Sequence, residues 1–325
     1  MTQNAYGLSR RTAIGAIGAA MLVPRAGRAA GLRTLSGSAF GTTWRLSLPE
    51  HVDQTPIEGA IDALFRRVDE VFSPWRTDSV LSHFNTQSAG TACRNVELAA
   101  VTRSALDIAG QSDGAFDPTV GPLVARWGFG PIHHGGAPDW RGLSSDTDEV
   151  RKSHDDLTLD LCGIAKGWAL DRAADLVEAH GIRDFLFELG GEFAARGRHP
   201  DARPWRIAVE IPPTIAQSQP VLRLPSGAAV ATSGTWTQSY RHADNFYSHI
   251  IDPGTRMPIS GALRSVTVVS ETATLADGWA TALCAAGAEA GPDLAQSIGL
   301  PALFEIETET GLRGVETARM GEFLL

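Results

Sequence analysis

Leu157-Thr158-Leu159-Asp160-Leu161-Cys162-Gly163-Ile164-Ala165-Lys166-Gly167 is the stretch on which the reading of this 325-residue chain turns. The apolar alternation predicts a buried strand over Leu157 to Leu161, and Gly163 supplies a turn. Beyond it, Ala165, Ala169, Ala173, Leu176, Val177 and His180 share one face of a helix over Ala165 to His180, which Gly181 stops. A strand ending in a glycine turn and opening a helix aims free backbone N–H groups and the positive end of the helix dipole at one point. Phosphate is the natural guest there. Lys166, one of two lysines in the chain with Lys152, adds a point charge. An ordinary strand-turn-helix with a solvated lysine would carry the same residues.

Outward from that turn, strands are expected at Gly41 to Leu48, Phe185 to Leu189, Trp205 to Ile211, Ala228 to Thr232, Tyr247 to Ile251, Ser265 to Ser270 and Ala302 to Ile306. Helices are expected at Ile57 to Phe72, Leu98 to Ile108 and Thr274 to Ala286. The glycines, prolines and tryptophans of Gly114 to Gly142 predict a long irregular region. Hairpin-like strands mixed with isolated helices favour α+β over a doubly wound sheet.

Three further clusters carry chemistry. In Ala276-Asp277-Gly278-Trp279-Ala280-Thr281, Asp277 and Thr281 lie four apart on one helical face, a carboxylate and a hydroxyl of the hard-oxygen kind magnesium takes. A backbone carbonyl near Gly163 would complete the protein's share, although a capping aspartate and a packed threonine read the same way. Tyr247-Ser248-His249-Ile250-Ile251-Asp252-Pro253 places His249, which can accept a proton near neutral pH, on a strand entering a turn. Gly114-Ala115-Phe116-Asp117-Pro118-Thr119, followed by Trp127-Gly128-Phe129-Gly130, offers aromatics on a glycine-rich loop, suited to a planar ring or to holding the loop down. Trp75 invites the same two readings.

Composition sets the frame. A hydrophobic content of 43% is ordinary for a packed globule. The net charge of −9 includes Arg10, Arg11, Arg25 and Arg28, so losing those four positive charges leaves −13, and so acidic a body argues against nucleic acid or anionic lipid. Residues 1–30, with Ser9-Arg10-Arg11-Thr12 before the uncharged run Ala13 to Val23 and small residues after it, read as a twin-arginine export signal. The run is too short to span a membrane, so a soluble periplasmic protein is expected, with residues 31–325 as one catalytic domain. Cys93, Cys162 and Cys284 are too scattered for a zinc site or disulfide framework.

Taken in order, these motifs resemble the ApbE-type FAD:protein FMN transferases over nearly the whole chain after residue 30. The most specific are Phe40-Gly41-Thr42-Thr43, the Gly114 to Trp127 loop, the Asp160 to Gly167 turn, Glu188-Leu189-Gly190-Gly191-Glu192, Ala231-Thr232-Ser233-Gly234, Ser248 to Pro253 and the Asp277/Thr281 pair. The resemblance implies an α+β fold of largely antiparallel sheets with flanking helices and an FAD cleft between two lobes. It implies magnesium-dependent transfer of FMN from FAD to a threonine or serine of a target flavoprotein, with AMP leaving. By position, Gly163, Asp277 and Thr281 would hold the metal. Phe40, Trp75, Ala115, Phe116, Asp117, Asp160, Lys166 and Ile259 would line the FAD site, and His249 would deprotonate the acceptor hydroxyl. Phe40 stands where methionine is usual, Trp75 where tyrosine is usual, Cys162, expected as buried packing, where glycine or serine is common, and Arg256 where a turn glycine is usual. The leader makes the chain similar to the NosX branch, whose flavoprotein partner is NosR. An FAD pyrophosphatase with water as nucleophile, and a carrier that holds FAD without turning it over, are the competing readings.

Overall fold

A computed structural model describes residues 31–53, 57–213, 215, 218–243 and 245–325; the expected leader, 1–30, lies outside them. Eight strands form the main sheet: Leu32–Ala39, Thr42–Pro49, Phe185–Leu189, Glu192–Arg196, Ala229–Gly234, Leu263–Ser270, Ala302–Thr308 and Gly311–Thr317. Each is antiparallel to the next, so order across the sheet is order along the chain. The α+β class is therefore as expected. Helices α1 (Glu58–Phe72), α2 (Val80–Thr86), α3 (Val96–Gln111), α4 (Gly121–Arg126) and α5 (Ala165–Ala179) fill the connection between the second and third strands, and α6 (Ala273–Ser297) follows the sixth.

The first hairpin turns through Phe40 and Gly41, both at positive φ (53° and 74°), the pairing that matches the twist of the flanking strands. Strand alternation then sends Trp44, Leu46 and Leu48 to one face, where they meet Phe185, Phe187 and Leu189 of the third strand. Against that face lie Ile61, Phe65 and Val68 of α1, Leu98, Val101 and Ile108 of α3, and the apolar residues of α5 and α6. The opposite face carries Leu186, Phe193, Val230 and Leu303 under a hairpin of Trp205–Ala208 and Val221–Leu224. The third strand is thus buried on both sides, which explains why four of its five residues are apolar and why Glu188 is buried with them.

Several expectations change. Leu157 to Leu161 forms no strand. Instead the Asn85 side chain accepts from Leu159 N–H (2.7 Å) and donates to Leu159 O (2.9 Å), doing by itself what a neighbouring strand would do. The Lys152 ammonium is fully buried and donates to the carbonyls of Asn85, Asp155 and Leu157 at 2.9, 2.9 and 3.0 Å, tying that segment to α2. Tyr247 to Ile251 is two strands with different partners: Asn245–Ser248 pairs with Ser239–His242, and Ile251–Asp252 pairs with Met257–Pro258. The Gly114 to Gly142 region contains α4, and Trp205 to Ile211 is a strand only to Ala208. The regular part of α6 ends as expected at Ala286: Gly287 is left-handed (φ 83°), although helix resumes to Ser297.

Candidate active site

The Asp160 to Gly167 turn faces α6. Asp277 Oδ2 accepts the Gly167 N–H at 2.9 Å, and Thr281 Oγ1 lies 3.4 Å from the Gly163 carbonyl oxygen and 3.3 Å from Ser233 Oγ. Residues 110 or more apart in the chain thus meet because α5 and α6 approach closely. Gly167 permits that approach: a Cβ there would lie 2.6 Å from the Ala273 carbonyl carbon and 2.8 Å from Asp277 Cβ. Asp171, one turn on in α5, fixes the register by accepting the Ala273 and Thr274 N–H groups (2.8 and 2.9 Å) and the Thr274 hydroxyl at the start of α6. An acidic side chain at a helix N-terminus also meets the positive end of its dipole.

The oxygen set at this meeting point is a carbonyl, two hydroxyls and a carboxylate, all hard donors. The contacts around Thr281 are longer than the roughly 2.7–2.8 Å usual between hydroxyl and oxygen, so these atoms surround a point more than they bond one another. Among the described residues no three His, Cys, Asp or Glu side chains cluster as metal ligands. A cation here would therefore rely on one carboxylate, neutral oxygens, water and substrate phosphate, which suits magnesium better than zinc. Gly163 matters for the same reason as Gly167: a Cβ would sit 3.0 to 3.3 Å from Thr281 and the Phe116 ring.

Charges at the site are constrained. Burial pushes the Asp277 carboxyl above its ordinary range, while Lys166 and the Gly167 N–H pull it back. Lys166 forms an ion pair with Glu192, which burial pushes up to about 7 against the pull of that ammonium. Burial opposes the Lys166 charge, yet Glu192 and Asp277 outweigh it and hold the ammonium above its usual value. His249 Nδ1 lies 3.1 Å from the Gln238 carbonyl, which can only accept, so Nδ1 carries the proton. Burial lowers the ring to about 4 despite that bond, leaving neutral imidazole with the Nε2 lone pair free at pH 7.

The remaining expected residues fall in three places. Phe116 and the Asp160 backbone join the turn: Phe116 borders Gly163, and Asp160 N–H donates to Pro118 O at 2.7 Å while its Oδ1 accepts the Cys162 N–H at 2.9 Å. Ala115 lies on the same loop, where Asp117 Oδ1 accepts the Thr119 N–H and hydroxyl. Ile259 is buried and bonds through its N–H to Ile250 O, beside His249. Phe40 packs edge-on against Phe65 of α1, and Trp75, 65% exposed, stands on the turn after α1. Cys162 is exposed and not the buried filler expected, and its thiol lies against the Asp160 carboxylate. Arg256 adopts φ 60° where the motif has glycine, so this turn keeps its shape against the steric preference of a side chain.

The ApbE family profile matches residues 40–304. The FAD:protein FMN transferase of Vibrio cholerae is 34% identical over 89% of this chain and 92% of its own length, and that of Klebsiella pneumoniae 31% identical over 90% and 89%. Among solved structures, the flavin transferase ApbE from Vibrio cholerae superposes with a TM-score of 0.81 at 33% identity, over 90% of this chain and all of its own. The apo flavinyl transferase ApbE from Pseudomonas stutzeri does so with 0.81 at 31% identity, over 90% and 96%. The chain belongs to the ApbE family.

Within that ApbE frame, three residues stand in or behind the site that sequence reading did not single out: Asp171, Glu192 and Ser233. Glu192 and Ser233 lay inside motifs quoted for the resemblance, but nothing in spacing alone shows that one grips Lys166 and the other reaches Thr281. Asp171 had a local signal, an acidic residue sharing a helical face with Gly167 and Ala174, which a helix would not bury without a partner.

Proposed function

We propose that this ApbE-family chain, a flavin transferase, moves FMN from FAD onto a threonine or serine hydroxyl of a target flavoprotein and releases AMP. The convergence of the Gly163 carbonyl, Asp277 and Thr281 is the observation that supports this most, with His249 close enough to Lys166 to feel its charge. His249 takes the acceptor hydroxyl proton on Nε2. The freed oxygen then forms its bond to the FMN phosphorus, and the bond from that phosphorus to the bridging oxygen breaks, its electron pair leaving with AMP. Lys166 offsets negative charge on the phosphates. A magnesium ion held by Gly163, Asp277 and Thr281 would supply further charge neutralisation on the phosphate oxygens. Phe40, Trp75, Ala115, Phe116, Asp117, Asp160 and Ile259 are proposed to line the flavin nucleotide.

We further propose that residues 1–30 direct export to the periplasm, that residues 31–325 form the transferase domain, and that the acceptor is NosR, as for the NosX branch. Lysine in place of both Arg10 and Arg11 is then expected to leave the protein in the cytoplasm on fractionation. Intact-mass measurement of an acceptor flavoprotein domain after incubation with FAD and magnesium tests the reaction. An FMN-sized increment supports transfer. Free FMN with an unmodified acceptor means a pyrophosphatase, and intact FAD means a carrier.

A further inference from the structure

Six carboxylates are buried among the described residues: Asp117, Asp171, Glu188, Glu192, Asp277 and Glu305. Five are satisfied locally. Asp171 caps α6, Asp117 holds Thr119, Glu188 accepts the Gly191 N–H, Glu305 accepts the Ser265 hydroxyl, and Asp277 accepts the Gly167 N–H. Glu192 differs. Its Oε1 pairs with Lys166 Nζ, and its Oε2 is buried with no hydrogen-bond partner among the described residues. A buried carboxylate oxygen left unpaired costs stability, so packing alone does not account for this side chain.

Its placement is also specific. Glu192 follows a turn of Gly190 and Gly191 at positive φ (61° and 100°), and strand alternation from Leu189 keeps it on the helix side of the sheet, under the first turn of α5. Lys166 spans from this buried anchor, whose side chain is 4% exposed, toward the site, where its own side chain is 33% exposed and its charge acts on both Asp277 and His249. A lysine is a point charge on a flexible stem and does not hold one position unaided.

We propose that Glu192 is a positioning residue for FMN transfer, anchoring the Lys166 ammonium from behind so that its charge is fixed where negative charge develops on the departing phosphate. This rests on the reading of Lys166 as facing the phosphates. Two consequences separate positioning from mere neutralisation. Removing the Glu192 charge leaves Lys166 more attractive to FAD in the ground state, so binding holds or tightens. The loosened ammonium no longer sits at the transition-state position, so turnover falls.

Steady-state FMN transfer by Glu192→Gln, Lys166→Met and the double variant, with thermal midpoints read alongside, tests this. Glu192→Gln is expected to lower kcat at least tenfold with KM for FAD unchanged or lower, and to change kcat less than twofold when added to Lys166→Met. Glu192→Asp, which keeps the charge on a shorter arm, is expected to retain more activity than Glu192→Gln. The proposal is overturned if Glu192→Gln keeps kcat within twofold of the parent, if its factor is the same on both backgrounds, or if Glu192→Asp is no better than Glu192→Gln. Should Lys166→Met alone leave kcat and KM unchanged, the phosphate-facing reading of Lys166 fails first and carries this proposal with it.

Discussion

Replacing Gly167 by alanine is expected to open the joint between α5 and α6. The added Cβ would meet the Ala273 carbonyl carbon at 2.6 Å and Asp277 Cβ at 2.8 Å, where ordinary contact begins at 3.4 Å. The obstacle is backbone, so the helices must part by about 1 Å, and overpacking of this kind costs ~3 kcal/mol, the top of the usual range. For a chain of this size that lowers the thermal midpoint by on the order of 5 °C. The same displacement stretches the Gly167 N–H bond to Asp277 and draws Thr281 from Gly163, and a misplacement of about 1 Å in a catalytic set can cost roughly a hundredfold in rate. Calorimetry and FMN-transfer kinetics measure both effects. Gly59→Ala is the control: nothing lies within 4 Å of a Cβ there, and alanine in the first turn of α1 should leave stability unchanged or slightly raised. A Gly167→Ala protein with the parent's midpoint and a transfer rate within twofold would refute the claim that close helix approach builds the site.

Asp277→Ala is expected to abolish AMP release while FAD binding, followed by flavin fluorescence, persists in part; unchanged turnover would remove Asp277 from the site. His249→Ala should slow transfer with FAD affinity largely kept, and a loss of affinity at constant rate would make it a binding residue. Because the folded ring titrates at about 4 and its neutral form is the active one, the His249 contribution to kcat should be flat from pH 5 to 8 and be lost only as pH falls through about 4. The sign for stability follows from the same shift: between about 6.5 and about 4 the unfolded chain binds a proton that the folded ring refuses, so the fold weakens as pH falls across that window. Lys152→Met leaves three buried carbonyls unpaired and should cost about 2–4 kcal/mol by chemical denaturation, with little effect on kcat below the midpoint.

Period and punctuation made most of the large elements legible. Trp44, Leu46 and Leu48 alternate as a half-buried strand must, and the apolar stripe of α1 faces the sheet as its spacing requires. The Leu157 to Leu161 strand failed for a physical reason: backbone groups need partners, not necessarily strands, and Asn85 and Lys152 supply them from elsewhere in the chain. The expected strand around His249 breaks because the chain changes partner there: residues up to Ser248 pair with Ser239–His242, and Ile251 and Asp252 pair with Met257–Pro258. The order of the eight strands was not readable, since periodicity says which face is buried and not which strand lies alongside. At the site, the helical spacing of Asp277 and Thr281 was visible, but the partners that orient them, Asp171 and Ser233, act across chain distances that no local pattern records.

The proposed reaction requires a cation between the turn, α6 and the phosphates of FAD. Manganese, a magnesium substitute with an anomalous signal, can locate that ion in crystals grown with FAD. One anomalous peak between the Gly163 carbonyl, the Asp277 carboxylate and the Thr281 hydroxyl, touching a phosphate oxygen, is the result expected. Bound FAD whose pyrophosphate lies away from those three residues, or a manganese ion held only elsewhere, would contradict it.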